Sequence, residues 1–308
     1  MEKSVCVLMS TYNGGSFLKK QLDSIFAQED VQVTLVVRDD GSKDDTVRLI
    51  RDYIEGGKNI VLIEGENLGW QKSFHWLLEN AKTYGNFQYY SFADQDDYWL
   101  PRKLISAIEK LETAENPKAL YGSQLLCVYE ETGISQNLYP DIDRTKRELA
   151  TQYLFGIAPF GCSMVWTDAL QELYLKHHMD VKIPHDIWMH ILARTCGEAI
   201  IDENAYIEHR IHGNNAAGVE QSVFGRFKKF FKVYMNTGYM RNSQIMEKFV
   251  SAYGMQSIPD EYKQFVQHMI AYRGSFIHTI KLLNTKYFKT LGIKRQARTL
   301  LFLLLRKL

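Results

Sequence analysis

Along the first hundred residues, two apolar rhythms take turns. Short apolar runs that read as buried strands cover residues 4–9, 33–38, 59–63 and 87–92. Between them, Phe17, Leu18, Leu22, Ile25 and Phe26, then Val47, Ile50 and Ile54, then Phe74, Leu77, Leu78 and Ala81 recur at the spacing of one helical face. Strands that alternate with helix-length segments predict an α/β fold built on a mostly parallel, helix-covered sheet. Further strands are expected over residues 120–129 and 160–166, and a helix is expected to open at Pro184.

Ligands of parallel α/β sheets bind beyond the carboxyl ends of the strands, so the loops that leave those ends carry the candidate chemistry. The first loop is Ser10-Thr11-Tyr12-Asn13-Gly14-Gly15, which places Thr11, Tyr12 and Asn13 where a nucleotide would be read. It contains neither the glycine pattern of dinucleotide-binding folds nor that of P-loops. The second is Asp39-Asp40-Gly41-Ser42-Lys43-Asp44, in which Asp39 or Asp40 can accept from a base N–H or a ribose hydroxyl, with Ser42 and Asp44 read as helix caps.

The fourth strand ends in Ala93-Asp94-Gln95-Asp96-Asp97-Tyr98-Trp99 and is followed by Pro101. Three carboxylates crowded at a strand end repel one another unless a cation sits among them. Mg²⁺ or Mn²⁺ suits such oxygen ligands and is commonly shared with substrate phosphates. The plainer alternative is a solvated acidic turn, with Asp97 capping the helix that begins near Pro101.

The chain has 308 residues and a net charge of +1 that conceals a split. Residues 222–308 carry 16 Lys and Arg against Glu247, Asp260 and Glu261, a net of +13, which leaves −12 for residues 1–221. Within the basic part, Phe224, Phe227, Phe231 and Tyr234 share a helical face, and residues 300–305 form an apolar run flanked by Arg298, Arg306 and Lys307. Basic amphipathic helices of this kind lie on membrane surfaces or pack together in a bundle or dimer. No nucleic-acid motif accompanies the charge. Cys6, Cys127, Cys162 and Cys196 are scattered and suggest neither a zinc site nor a disulfide framework, so a cytoplasmic location is expected. No signal peptide is read at Met1, and no apolar run is long enough for a transmembrane helix.

The motifs Ser10-Thr11-Tyr12-Asn13-Gly14, Arg38-Asp39-Asp40-Gly41-Ser42, Glu66-Asn67-Leu68-Gly69 and Ala93-Asp94-Gln95-Asp96-Asp97-Tyr98-Trp99 resemble, in order, those of glycosyltransferase family 2. The resemblance covers about seven-tenths of the chain and fades beyond Ser222. It implies a GT-A fold over residues 1–221, with residues 222–308 as a helical extension, and inverting sugar transfer from a nucleotide-sugar. It also implies donor contacts from Thr11, Tyr12, Asn13, Asp39, Asp40, Asn67, Gly69, Lys72, Asp94 and Gln95. Phe160-Gly161-Cys162-Ser163-Met164-Val165 is similar to a segment that lines the donor sugar, which adds Gly161 and Cys162.

His185-Asp186-Ile187-Trp188 matches the segment that supplies the family's catalytic base, so Asp186 is expected to deprotonate the acceptor, although an Asp near a helix start is more commonly a cap. Arg210-Ile211-His212-Gly213-Asn214-Asn215 resembles rhamnosyltransferase-like members, placing Arg210 on the diphosphate and His212 with Asp96 on Mg²⁺ or Mn²⁺. The resemblance implies dTDP-L-rhamnose as donor, and the basic helical extension leads to the expectation of a lipid-linked saccharide acceptor in surface-polysaccharide synthesis at the inner face of the cell membrane. The competing expectation is a nucleotide-sugar-binding assembly or sensor protein, which would have no need of Asp186. A phosphohydrolase using Asp94 as nucleophile is disfavoured by Tyr98 and Trp99.

Overall fold

The computed structural model describes residues 2–129, 135–137, 148–155, 158–177, 182–211, 240–306 and 308. The chain opens with β1 (Lys3–Thr11), α1 (Gly15–Ile25), β2 (Val31–Asp39), α2 (Thr46–Glu55), β3 (Ile60–Glu64), α3 (Trp70–Asn80) and β4 (Tyr89–Ala93), close to the periodic segments of the sequence. There follow β5 (Tyr98–Trp99), α4 (Lys103–Leu111), β6 (Ala119–Tyr129), β7 (Ser135–Asn137), α5 (Leu149–Phe155), β8 (Val165–Thr167), α6 (Asp168–Leu175), α7 (His185–Cys196) and β9 (Glu198–Ile211). One sheet runs in the order β3-β2-β1-β4-β8-β6-β9-β5, with β7 on β6.

The first four strands are parallel, as their intervening helices require. Past β4 the sheet is mixed, because β8 runs antiparallel to both β4 and β6, and β5 antiparallel to β9. β1 has β2 on one side and β4 on the other, so the loops after β1 and β4 leave a switch point, where α/β sheets open a crevice.

Strand alternation divides the core. In β1, Cys6 and Leu8 join Phe74, Leu77, Phe92, Trp166 and Trp188 on one side of the sheet. Val5, Val7 and Met9 join Leu18, Leu22, Ile50, Leu104 and Ile108 on the other. α1, α2 and α4 thus cover one face, and α3 with α5–α7 covers the opposite one, as side chains of period two demand.

The basic C-terminal part is more closely integrated than a separate extension. It comprises α8 (Asn242–Tyr253), α9 (Asp260–Ala271), α10 (Phe276–Leu283), α11 (Lys286–Lys289) and α12 (Ile293–Leu304). Ile245, Met246, Phe249, Phe265, Met269 and Tyr272 share the core that holds Trp188 and Tyr153, and the Trp188 and Phe249 rings lie 5.5 Å apart. Of the apolar run 300–305, Phe302 and Leu303 are buried. The aromatic face at 224–234 and His212 lie outside the described residues.

Candidate active site

The loops after β1 and β2 are tied to each other by their own polar groups. Asp39 is buried at the end of β2, and its carboxylate accepts from Thr11 Oγ1 (2.8 Å), Ser42 Oγ (2.6 Å), Ser42 N (2.8 Å) and Gly41 N (3.1 Å). Four bonds fill the acceptor positions of a carboxylate. Asp40 is equally buried, pairs with Arg38, and accepts from Leu68 N (3.0 Å) and Gly69 N (2.7 Å), so it holds the Asn67–Gly69 turn in place. Arg38 in turn donates to the Glu66 carbonyl at 3.0 Å. Both aspartates expected to read a base or ribose are therefore engaged within the protein.

Asn13 adopts a positive φ of 46°, a conformation Asn tolerates better than most residues. It is pinned there by Asn13 N on Ser42 Oγ and by Lys43 N on Asn13 Oδ1, both at 2.8 Å. Ser42 thus braces the two loops instead of capping α2. Tyr12 is 47% exposed, and Asn67, in the loop before α3, and Lys72, in the first turn of α3, are exposed as well.

Gln95 fastens this framework to the acidic loop: Tyr12 N donates to its Oε1 (2.9 Å) and its Nε2 donates to the Tyr12 carbonyl (3.2 Å). A Cβ on Gly14 would fall 2.3 Å from Gln95 Oε1, which explains the glycine. Beyond Gln95, the two-residue β5 pairs with β9 in the register Tyr98↔Glu208 and Trp99↔Ile207. That short antiparallel ladder carries His209 and Arg210 back beside Asp97 and Asp96.

Asp97 is wholly buried, accepts from His209 Nδ1 at 2.7 Å, and leaves Oδ2 buried with no hydrogen-bond partner. It does not cap α4. Burial disfavours the charged imidazole, but the bond to Asp97 and the nearby Asp94 and Asp96 outweigh it, and His209 is pushed up to about 9. Asp94 is pushed up to about 8, by burial first and by Asp97 and Asp96 next.

Potential ligand atoms of Asp94, Asp97, Cys162 and His209 all lie within 4.8 Å of one another. This group differs from the expected metal pair, since Asp96 is not in it and His212 is outside the described residues. Pairing of β5 with β9 brings Asp97 and His209 together. The carboxylates of Asp94 and Asp97, the latter with Oδ2 buried and without a hydrogen-bond partner, fit a divalent ion of Mn²⁺ type, which His209 could join only through Nε2 after giving up a proton, whereas the thiol of Cys162, pushed well above its ordinary value by burial, suits a hard ion poorly.

Arg210 is also committed elsewhere than expected. Its Nε donates to the Asp96 carbonyl (2.7 Å) and its Nη2 to the carbonyls of Phe17 (3.1 Å) and Asp97 (3.4 Å), with the guanidinium over the Phe17 ring. It thereby holds the acidic loop against the start of α1.

Asp186 is the second residue of α7, behind Pro184 at the cap position, and its Oδ1 accepts from Ile187 N at 2.7 Å. Burial pushes its carboxyl up to about 6, against the pull of the backbone N–H groups of Ile187 and Asp186. A Cβ on Gly161 would stand 2.8 Å from His185 Nε2 and 3.6 Å from the Asp186 Cβ. Gly161 therefore lets its segment approach the helix start, while the next residue, Cys162, belongs to the acidic cluster. This dipeptide joins the candidate base to the carboxylates.

Three neighbours were not singled out from the sequence. His185 stacks on Phe74 (4.3 Å) and meets Phe92 (4.5 Å), with the exposed Trp70 at 6.0 Å, and burial brings it down to about 3, so it is neutral. His209 follows Glu208 on β9 with no motif to mark its role. Lys103 is buried, donates to Ser91 Oγ at 2.7 Å, and sits 3.3 Å from the centre of the Trp99 ring. Burial lowers it to about 7, opposed by Cys162, Asp97 and Asp94.

Among known proteins, the model of glycosyl transferase family 2 matches residues 6–174, more than half of the chain. The dTDP-rhamnosyl transferase RfbG of Shigella flexneri is 28% identical over 231 residues, covering 72% of this chain and 77% of that protein. An uncharacterized glycosyltransferase of Rickettsia typhi is 25% identical over 68% of this chain, which spans 64% of its length. S. aureus TarS residues 1–349 in complex with UDP-GlcNAc superimposes with a TM-score of 0.59 at 16% identity, over 95% of this chain and 77% of that one. The mannosyltransferase PcManGT of Pyrobaculum calidifontis, in complex with GDP-Man and Mn²⁺, gives 0.56 at 16% identity, over 96% and 78%.

Proposed function

The chain belongs to glycosyl transferase family 2, and from that premise we propose that it transfers a sugar, L-rhamnose from dTDP-β-L-rhamnose, with inversion to a lipid-linked saccharide at a membrane surface. The observation that carries this reading is the Gly161-Cys162 dipeptide, which packs on Asp186 at one residue and meets the carboxylate cluster at the next. A base and a diphosphate-handling centre are then neighbours, as an in-line displacement requires. The rhamnosyl donor is supported by the similarity to RfbG and by the Arg210-Ile211-His212-Gly213 segment. Surface-polysaccharide synthesis is the setting such a transfer would serve.

In this mechanism Asp186 accepts the proton of the acceptor hydroxyl, whose oxygen forms the new bond to the anomeric carbon. The bond from that carbon to the diphosphate oxygen breaks, and the electron pair leaves with the diphosphate. Attack from the opposite side converts the β linkage of the donor to an α-rhamnoside. Tyr12, Asn67 and Lys72 are the exposed groups available to the nucleotide, while Thr11, Asn13, Asp39, Asp40, Gly69 and Gln95 fix the loops that present them. Arg210 holds the acidic loop. A divalent ion held by Asp94 and Asp97 with His209, beside Asp96, would supply positive charge to the departing diphosphate.

The test is release of nucleoside diphosphate from a panel of nucleotide-sugars with Mn²⁺ or Mg²⁺, for the parent and for Asp186→Asn. The expected result is turnover of dTDP-L-rhamnose above UDP- and GDP-sugars, with the variant slowed about 10²- to 10⁴-fold while still binding donor. A variant as fast as the parent removes Asp186 from the chemistry, and equal use of all donors removes the rhamnosyl assignment.

A further inference from the structure

Eight of the thirteen exposed large hydrophobic side chains among the described residues lie between positions 276 and 305. On α10 they are Phe276 (69% exposed), Ile277 (58%) and Ile280. On α12 and just past it they are Ile293 (85%), Leu300, Leu301, Leu304 (66%) and Leu305. These helices already bury an inner face, through Thr279 and Leu282 on α10 and Thr299, Phe302 and Leu303 on α12. The outer apolar face is thus additional to what the core uses, and a row at positions 293, 300, 301 and 304 follows one side of a helix.

The two helices meet at a corner. Arg306 Nη1 donates to the Tyr272 carbonyl at 3.4 Å and Leu308 N to Tyr272 Oη at 2.8 Å, so the end of α12 lies against the turn from which α10 starts. Residues 262–308 contain ten Lys and Arg and no Asp or Glu. Lys281, Lys289 and Arg306 among them are exposed.

We infer that the outer faces of α10 and α12 form the surface by which this protein docks on an anionic lipid bilayer. Exposed apolar side chains with exposed cations on and beside the same helices suit an interface whose headgroups are negative and whose acyl boundary is apolar. A second copy of the chain would satisfy the apolar groups but would set its own exposed Lys281, Lys289 and Arg306 against those of the first, and Asp260 and Glu261, the nearest acids before this segment, already pair with Lys263 and Lys286. The inference deepens the reading above by naming the side that faces a lipid-linked acceptor, and it rests on that reading only for the acceptor. Vesicle binding is measured without any sugar transfer.

The experiment is co-sedimentation with phosphatidylcholine vesicles, with and without phosphatidylglycerol, for the parent, Leu301→Glu/Leu304→Glu and Lys281→Glu/Lys289→Glu. All four side chains are exposed, so both variants should keep the parent's unfolding temperature. Expected are binding by the parent only when phosphatidylglycerol is present, its loss at high salt, and affinities about tenfold or more lower in each variant. Parent-like vesicle binding in both variants overturns the inference, as does a parent that ignores phosphatidylglycerol. So does a parent that sediments as a dimer which the leucine variant dissociates and that leaves vesicles unbound. Binding that behaves as expected in a protein that turns over no nucleotide-sugar supports the docking face and counts against the proposed transfer.

Discussion

His209 Nδ1 stands 2.7 Å from Asp97 Oδ1, one position beyond a ladder of only two residue pairs. Asp97 is fully buried and its second oxygen has no hydrogen-bond partner, so the charged imidazole of His209 is the cation held directly against this buried carboxyl group. The imidazole is raised above its ordinary value, which makes its stabilising contribution complete below about 6.5 and lost as pH rises through about 9. His209→Gln should therefore destabilise by roughly 3 to 5 kcal/mol at neutral pH, the usual cost of stranding a buried charge. Thermal unfolding of both proteins at several pH values checks this, and the gap between them should narrow as pH approaches and passes 9. A gap constant with pH would mean that packing, and not the charge, is what His209 contributes.

Lys103 places a buried cation near the same carboxylates, 3.3 Å from the Trp99 ring centre and 2.7 Å from Ser91 Oγ. Lys103→Met keeps the length of the side chain and removes the charge. Without that repulsion, Mn²⁺ affinity measured by calorimetry should rise by about tenfold, and most strongly below neutral pH, where the lysine is charged. Unchanged or weaker Mn²⁺ binding would show that its charge is not felt at the acidic loop.

Asp186 must be ionised to take a proton, and burial has moved its carboxyl up to about 6. The rate of transfer should accordingly fall as pH drops through about 6, with the missing limb restored to the ordinary carboxylate range only if the site becomes wetter. A pH–rate profile in which the acid limb lies near 4 would point to an exposed carboxylate as the base.

Gly161→Ala inserts a methyl group 2.8 Å from His185 Nε2 and 3.6 Å from the Asp186 Cβ. Something must shift, and the neighbour is a buried ring stacked on Phe74. We expect about 1 to 3 kcal/mol of lost stability and a drop in kcat of about tenfold to a hundredfold, with the KM for donor little changed. A variant with parent kcat would detach the dipeptide from the placement of the base.

Much of the first half of the molecule was readable from its periodicity. Residues 4–9 and 33–38 are strands, Phe74 and Leu77 do face a core, and the acidic run does leave a strand end beside the first loop. What one sequence hides is pairing across distance. Asp97 reads as an ordinary cap until the β5–β9 register sets His209 against it, 112 positions later. Arg210 has the chemistry of a diphosphate ligand, yet its donors go to backbone carbonyls because the fold brings Phe17 and Asp96 within reach. Asp39 and Asp40 have the chemistry of base readers, and loop amides claimed them first. For the C-terminal helices, composition disclosed the charge and left open whether the apolar run meets a membrane or packs in a bundle, and the structure puts Phe302 and Leu303 of that run in the core.

The division of β1 between two cores sets a parity for the whole catalytic edge. Val5, Val7 and Met9 count odd toward one side, Cys6 and Leu8 count even toward the other, and Thr11 reaches Asp39 at the end of the same count. Inserting or deleting one residue between Val5 and Met9 would exchange the two sets of side chains and turn Thr11 away from its partner, since side chains alternate strictly along a strand. Hydrophobic packing in the interior and alignment of the loops at the rim are thus a single quantity, read out at two places. Changes in the length of this strand should be far more damaging than changes in its apolar composition, even where an altered chain still folds.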